Sequence, residues 1–264
     1  ECLGVPQWTD QRLQHSTKCR AVRISVMRTA FFVATLLMCG ALGAQATPAF
    51  PEPTEASRRH LAARRATARL TIDGVLDEAD WRNAPVASDF ATSRPDYAPT
   101  TRFGTKVRVL FDDEFLYVSA VIADSLGVKG LRVPDLRRDF EPPESDDFAI
   151  TMGPMGDRRT AYQLHVNPYG AQGDVQAFDG GDSFNFNWDA MWRVRTTRSD
   201  SGWVAELAIP WTSLRYAPGS RSWDINFVRN VRRAFEWSSW TPYPRQLSSW
   251  RLTTRSCPTS CPHW

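Results

Sequence analysis

The chain has 264 residues, 42% of them apolar, and 32 lysines and arginines against 29 acids give a formal charge of +3. That length suits one large β domain or two smaller ones with a real core, and it excludes a mini-protein held by cross-links alone. So small a net charge supplies no broad basic footprint for nucleic acid.

In chain order, residues 1–26 contain no initiating methionine. They are expected to be non-native upstream sequence or a mis-set start; the alternative is a long basic n-region with Lys18, Arg20, Arg23 and Arg28. Met27 then opens "MRTAFFVATLLMCGALGAQA", in which one basic residue precedes an apolar run from Ala30 to Met38 and an Ala44-Gln45-Ala46 cleavage site. Residues 27–46 therefore predict a signal peptide, and the product is expected to be periplasmic, outer-membrane associated or extracellular. The apolar run falls well short of the roughly 20 residues that span a bilayer. All five cysteines lie outside Thr47–Trp250, so the body must be held by its core. Residues 47–67 predict a basic linker, with "SRRHLAARR" read as a solvated stretch and not a nucleic-acid arm.

The stretch "LTIDGVLDEADWRNAP", Leu70 to Pro85, places Asp77 and Asp80 at capping-box spacing, Leu76 and Trp81 as a hydrophobic staple, and Asp73-Gly74 as a turn. These acids read as structural, not as a catalytic pair. Next, Val107, Val109 and Phe111 alternate up to Asp112-Asp113, and Leu116, Val118, Ala120 and Ile122 alternate after it, predicting a hairpin with one buried face. Further strand-like runs follow at Asp146–Gly153, Thr160–Pro168, Ala190–Ser199, Gly202–Pro210 and Ser222–Arg233. Pro210 to Ser220 predicts a corner containing one helical turn, and Trp203 and Trp211 are assigned to the core or its rim. Many short strands and almost no helical period predict an all-β fold over 68–250, a single antiparallel β-sandwich of jelly-roll type. Residues 251–264 form an irregular tail whose Cys257, Cys261 and His263 fall short of a zinc set, and they are expected to be a truncation or frame artefact.

Six segments, "IDGVLDEADW", "TKVRVLFDDEFLYVSAVIAD", "SDDFAITM", "YQLHVNPYG", "GWVAELAIPWTSL" and "INFVRNVRR", together resemble the family 9 carbohydrate-binding modules. Such modules are attached to xylanases and stand at the N-terminus of large exported bacterial proteins. The resemblance implies a sugar-binding β-sandwich, often specific for the reducing end of a xylan- or cellulose-type glycan, in a longer parent whose C-terminal part is absent here. It also implies a slot with two aromatic walls and a polar floor. Phe140 takes the position of the first wall, and Trp240 or Trp250 that of the second. Asn167 is kept on the central strand, His165 stands where the family has arginine, and Ala149 replaces an acid.

Other chemistry leaves fainter marks. Asp146 and Asp147 are neighbours on a strand, so their side chains point to opposite faces and cannot flank one glycosidic bond. Asp146, with Asp179 and Asp182 of the Gly-rich segment "DGGDSFNFNWD", suits calcium, and a plain polar loop fits that segment about as well. No organic cofactor is expected. A haem-binding sandwich with His165 and Met152, Met155 or Met191 as axial pair is one alternative. A structural domain of a larger outer-membrane protein with the sugar slot lost is another. Without G-x-S-x-G, H-E-x-x-H or P-loop motifs the domain reads as non-catalytic, and any glycosyl hydrolase activity would belong to the missing C-terminal region.

Overall fold

The period-two runs become strands. In the computed structural model, which describes residues 59–242 within one compact unit, these are β1 (Arg64–Arg65), β2 (Ala91–Arg94), β3 (Thr105–Phe111), β4 (Phe115–Ala123), β5 (Asp147–Gly153), β6 (Ala161–Val166), β7 (Gln172–Phe178), β8 (Ser183–Asn185), β9 (Arg193–Ser199), β10 (Gly202–Pro210), β11 (Asp224–Val231) and β12 (Glu236–Ser239). They form two sheets, ordered β1-β3-β4-β10-β9 and β2-β12-β11-β5-β6-β7-β8. All pairings are antiparallel except that of β1 with β3. The expected β-sandwich is the observed one. The signal peptide, most of the linker, Trp250 and the tail lie outside the described residues.

Alternation decides the core. Val107, Val109, Phe111, Leu116, Val118, Ala120 and Ile122 share a buried cluster with Phe148, Ile150 and Met152 of β5 and Tyr162, Leu164 and Val166 of β6. Each large side chain buried there contributes roughly 1.5–3 kcal/mol. Trp203 belongs to the same cluster, and half-buried Trp211 packs against it while donating its indole N–H to the Asp112 carbonyl at 3.0 Å.

The β3–β4 hairpin is buried on both faces, not on one as expected. Leu110, Phe115, Tyr117 and Ala208 on the second face are covered by Leu70, Trp81 and Ala84, contributed by the segment that precedes β2. Trp81 anchors that cover by donating its indole N–H to Glu206 Oε1 at 3.0 Å, while Glu206 Oε2 accepts the backbone N–H groups of Asp73 (3.1 Å) and Gly74 (2.9 Å).

The acids around Trp81 are structural, but they are not helix caps. The helix α1 (Ala79–Asn83) has Glu78 as its N-cap and no side-chain cap. Five residues barely close one turn, so the carboxylates serve neighbouring chain instead. Asp80 accepts from the Thr67 backbone and hydroxyl at 2.9 and 2.8 Å, and Glu78 accepts from the Thr71 N–H at 3.2 Å. Leu76 and Trp81 do join one apolar cluster.

Candidate carbohydrate-binding site

On β6, Tyr162, Leu164 and Val166 face the core, so Gln163 and His165 face outward. They form the polar floor of a pocket of about 480 Å³. Four side chains are linked across it. Asp147 Oδ2 lies 2.8 Å from His165 Nδ1, His165 Nε2 lies 2.9 Å from Gln163 Oε1, and Gln163 Nε2 donates to Thr151 Oγ1 at 2.8 Å. Both imidazole nitrogens thus have side-chain oxygens within hydrogen-bond distance, which fixes the ring in the floor. Burial raises the Asp147 carboxyl above its ordinary range, and His165 opposes that rise.

Two aromatic side chains flank the floor. Phe140, with Pro142 and Pro143, lines the pocket from the loop before β5, and Asn230 fixes that loop by donating to the carbonyls of Pro142 (2.9 Å) and Ser145 (2.8 Å). Trp237 lines it from β12, packed against Ala149 and Val228, with the Arg94 guanidinium 5.5 Å from its ring centroid. Phe186, 66% exposed, adds a third ring. Gly173 keeps the floor open, since a Cβ there would lie 3.6 Å from His165 Cβ and 4.0 Å from the Phe140 ring. Apolar ring faces beside a hydrogen-bonding floor match a pyranose, whose C–H faces are apolar and whose rim is polar.

Of the residues assigned from the sequence, Phe140 (3% exposed) and His165 (5% exposed) line this one pocket, and the others that the structure describes lie elsewhere. Trp240 is 4% exposed and packs in the core, its ring 5.7 Å from that of Phe227. It lies three residues from Trp237, so on an extended chain the two point to opposite faces. Asn167 sits beyond the end of β6, where its amide braces the β6–β7 turn. Its Oδ1 accepts from Tyr169 and Ala171 at 3.0 and 3.1 Å, and its Nδ2 donates to the Asp135 carbonyl at 3.0 Å. Three of the four hydrogen bonds open to that amide are made there.

The calcium set is not assembled either. Asp146 is buried and clamps two loops, with its oxygens taken by the backbone N–H groups of Arg132 and Arg232. By register it lies beyond the Val166 end of β6, whereas Asp179 and Asp182 lie beyond the Ala161 end, about 30 Å away at 3.3 Å per residue. Asp179 is paired with Arg159 at 2.8 Å. Among the described residues no three His, Cys, Asp or Glu side chains are grouped to hold a metal. The haem pairing fails on the same alternation: Met152 is a core residue on the face opposite His165, and Met155 and Met191 are 40% and 83% exposed.

Gln163 and Trp237 also line the pocket and are not among the residues assigned from the sequence. Gln163 stands two residues before His165, so period two alone assigns it to the floor. Trp237 carried no such signal, because its short strand joins β2 with a register shift at Trp237/Ser238.

A two-sheet sandwich with aromatic walls around a polar floor is the build of a sugar-binding module. Residues 72–230 match the family described as carbohydrate family 9 binding domain-like, and the chain belongs to that family. It is 28% identical over 166 residues to endo-1,4-beta-xylanase A of Thermoanaerobacterium saccharolyticum, and 26% identical over 149 residues to exoglucanase XynX of Acetivibrio thermocellus. Those alignments cover 62% and 56% of this chain but 12% of each relative. A family 9 carbohydrate-binding module from Caldicellulosiruptor kristjanssonii, solved in complex with cellotriose, shares the fold with a TM-score of 0.54 at 16% identity, over 75% of this chain and 93% of that one.

Proposed function

We propose that this chain is a non-catalytic carbohydrate-binding module that holds a sugar ring between Phe140 and Trp237 over Gln163 and His165. The observation that carries the reading is the pocket itself, in which two aromatic walls meet a polar floor in a member of the family 9 modules. The related xylanase and exoglucanase, and the neighbour holding cellotriose, favour a xylan- or cellulose-type glycan. Because the chain corresponds to 12% of each enzyme relative, hydrolysis is assigned to a partner domain in a longer exported parent. The basic, apolar and A-x-A pattern of residues 27–46 supports export.

Calorimetric titration with xylo- and cello-oligosaccharides, with free or chemically blocked reducing ends, tests the reading. Saturable binding that is lost on blocking is the expected result, and no heat with any glycan would contradict it. Calcium enters as a separate variable, because Asp179 and Asp182 share the β7–β8 turn.

A further inference from the structure

A second concavity, of about 730 Å³, lies between the segment 69–72 and β9, the outermost strand of its sheet. Three arginines line it: Arg69, Arg193 and Arg195. Arg193 and Arg195 are two apart on β9 and so share a face. Arg69 and Arg193 both stack on Phe115, at 5.2 and 5.8 Å from its centroid, which holds two like charges beside one ring.

Their neutralisation is incomplete. Register sets Glu206 opposite Arg195, but Glu206 is occupied by Trp81, Asp73 and Gly74. Arg195 donates instead to the neighbouring Val194 carbonyl at 2.9 Å. Arg69 meets Glu114 only at 3.5 Å, with both side chains solvent-exposed. Among the described residues Arg193 and Arg195 form no ion pair, and no carboxylate lines the groove. Guanidinium forks match planar carboxylates in geometry as well as charge. Leu70 and Ile72 supply apolar wall beside them.

We propose that this groove binds the carboxylate of a uronic acid carried by an acidic glycan. The proposal rests on the sugar-binding reading above and extends it to a second, charge-selective site. A sugar fits better than a nucleic acid because the cationic groove is short and partly apolar, in a chain whose net charge is only +3.

The test uses the full chain and three xylo-oligosaccharides of equal backbone length: unsubstituted, carrying one glucuronate branch, and carrying that branch with its carboxyl reduced to the neutral sugar. The glucuronate form is expected to bind about fivefold or more tighter than its reduced counterpart. The gain should shrink as salt rises and vanish in an Arg193→Gln/Arg195→Gln variant that binds the unsubstituted sugar normally. An Arg69→Gln variant should lose part of it. Equal binding of the two branched sugars overturns the proposal while leaving the sugar reading intact. Survival of the gain in the double variant also overturns it, as does displacement of the glucuronate sugar by a short DNA duplex at equal charge concentration. If none of the three sugars binds, the sugar reading fails and takes this proposal with it.

Discussion

Trp237 and Trp240 show how one change of face separates a pocket-lining residue from a packing residue. Trp240 fills the core against Phe227, so Trp240→Ala leaves a cavity and should cost about 3–5 kcal/mol in urea unfolding. Trp237 is half-buried at the pocket, and its replacement should cost well under half of that. Glu206 offers a second test at this scale. Burial raises its carboxyl above the ordinary glutamate value of 4.5, against the pull of the Gly74, Trp81 and Asp73 donors. The folded chain therefore holds this proton more tightly than the unfolded chain does. That contribution to stability is complete below the ordinary value and is lost as pH rises through the raised one. The Tm margin of the wild type over Glu206→Gln should accordingly narrow from about pH 4 to pH 7. A margin that widened would contradict the direction of the shift.

Among the elements, β10 is the most constrained at its start. Gly202 has φ of 135°, and a Cβ there would lie 2.0 Å from the Ile122 carbonyl oxygen on β4. Gly202→Ala should therefore destabilise by more than about 2 kcal/mol in urea unfolding, whereas Gly219→Ala, with open space around it, should cost less. The strands β3, β4, β5, β6, β10 and β11 were legible because one face of each alternates into the core. β2, β8 and β12 have only three or four residues and show no period. The site was legible to the same degree. Phe140 and His165 lie on or beside legible elements, but Trp237 lies on β12. Asn167 was assigned from the family resemblance, while the end of β6, where its amide turns back to the backbone, left no mark in composition. Asp80 shows the same limit, since capping-box spacing is local and its actual partner, Thr67, is 13 residues away.

The whole module is held by burial on both sides of one sheet, with no cysteine between Thr47 and Trp250. Its Tm should therefore be unchanged by reductant; a fall of several degrees would mean that a disulfide from outside this region supports the fold. The same architecture leaves on the outer face of the larger sheet the pocket lined by Gln163, His165, Phe140 and Trp237, where we propose that the ligand is held. The most direct measurement of that claim is calorimetric titration of wild type, Trp237→Ala and Trp240→Phe with the glycan that binds best. Loss of at least about tenfold in affinity for Trp237→Ala, with Trp240→Phe close to wild type, is the predicted result. Unchanged affinity in Trp237→Ala would place the sugar elsewhere on the molecule.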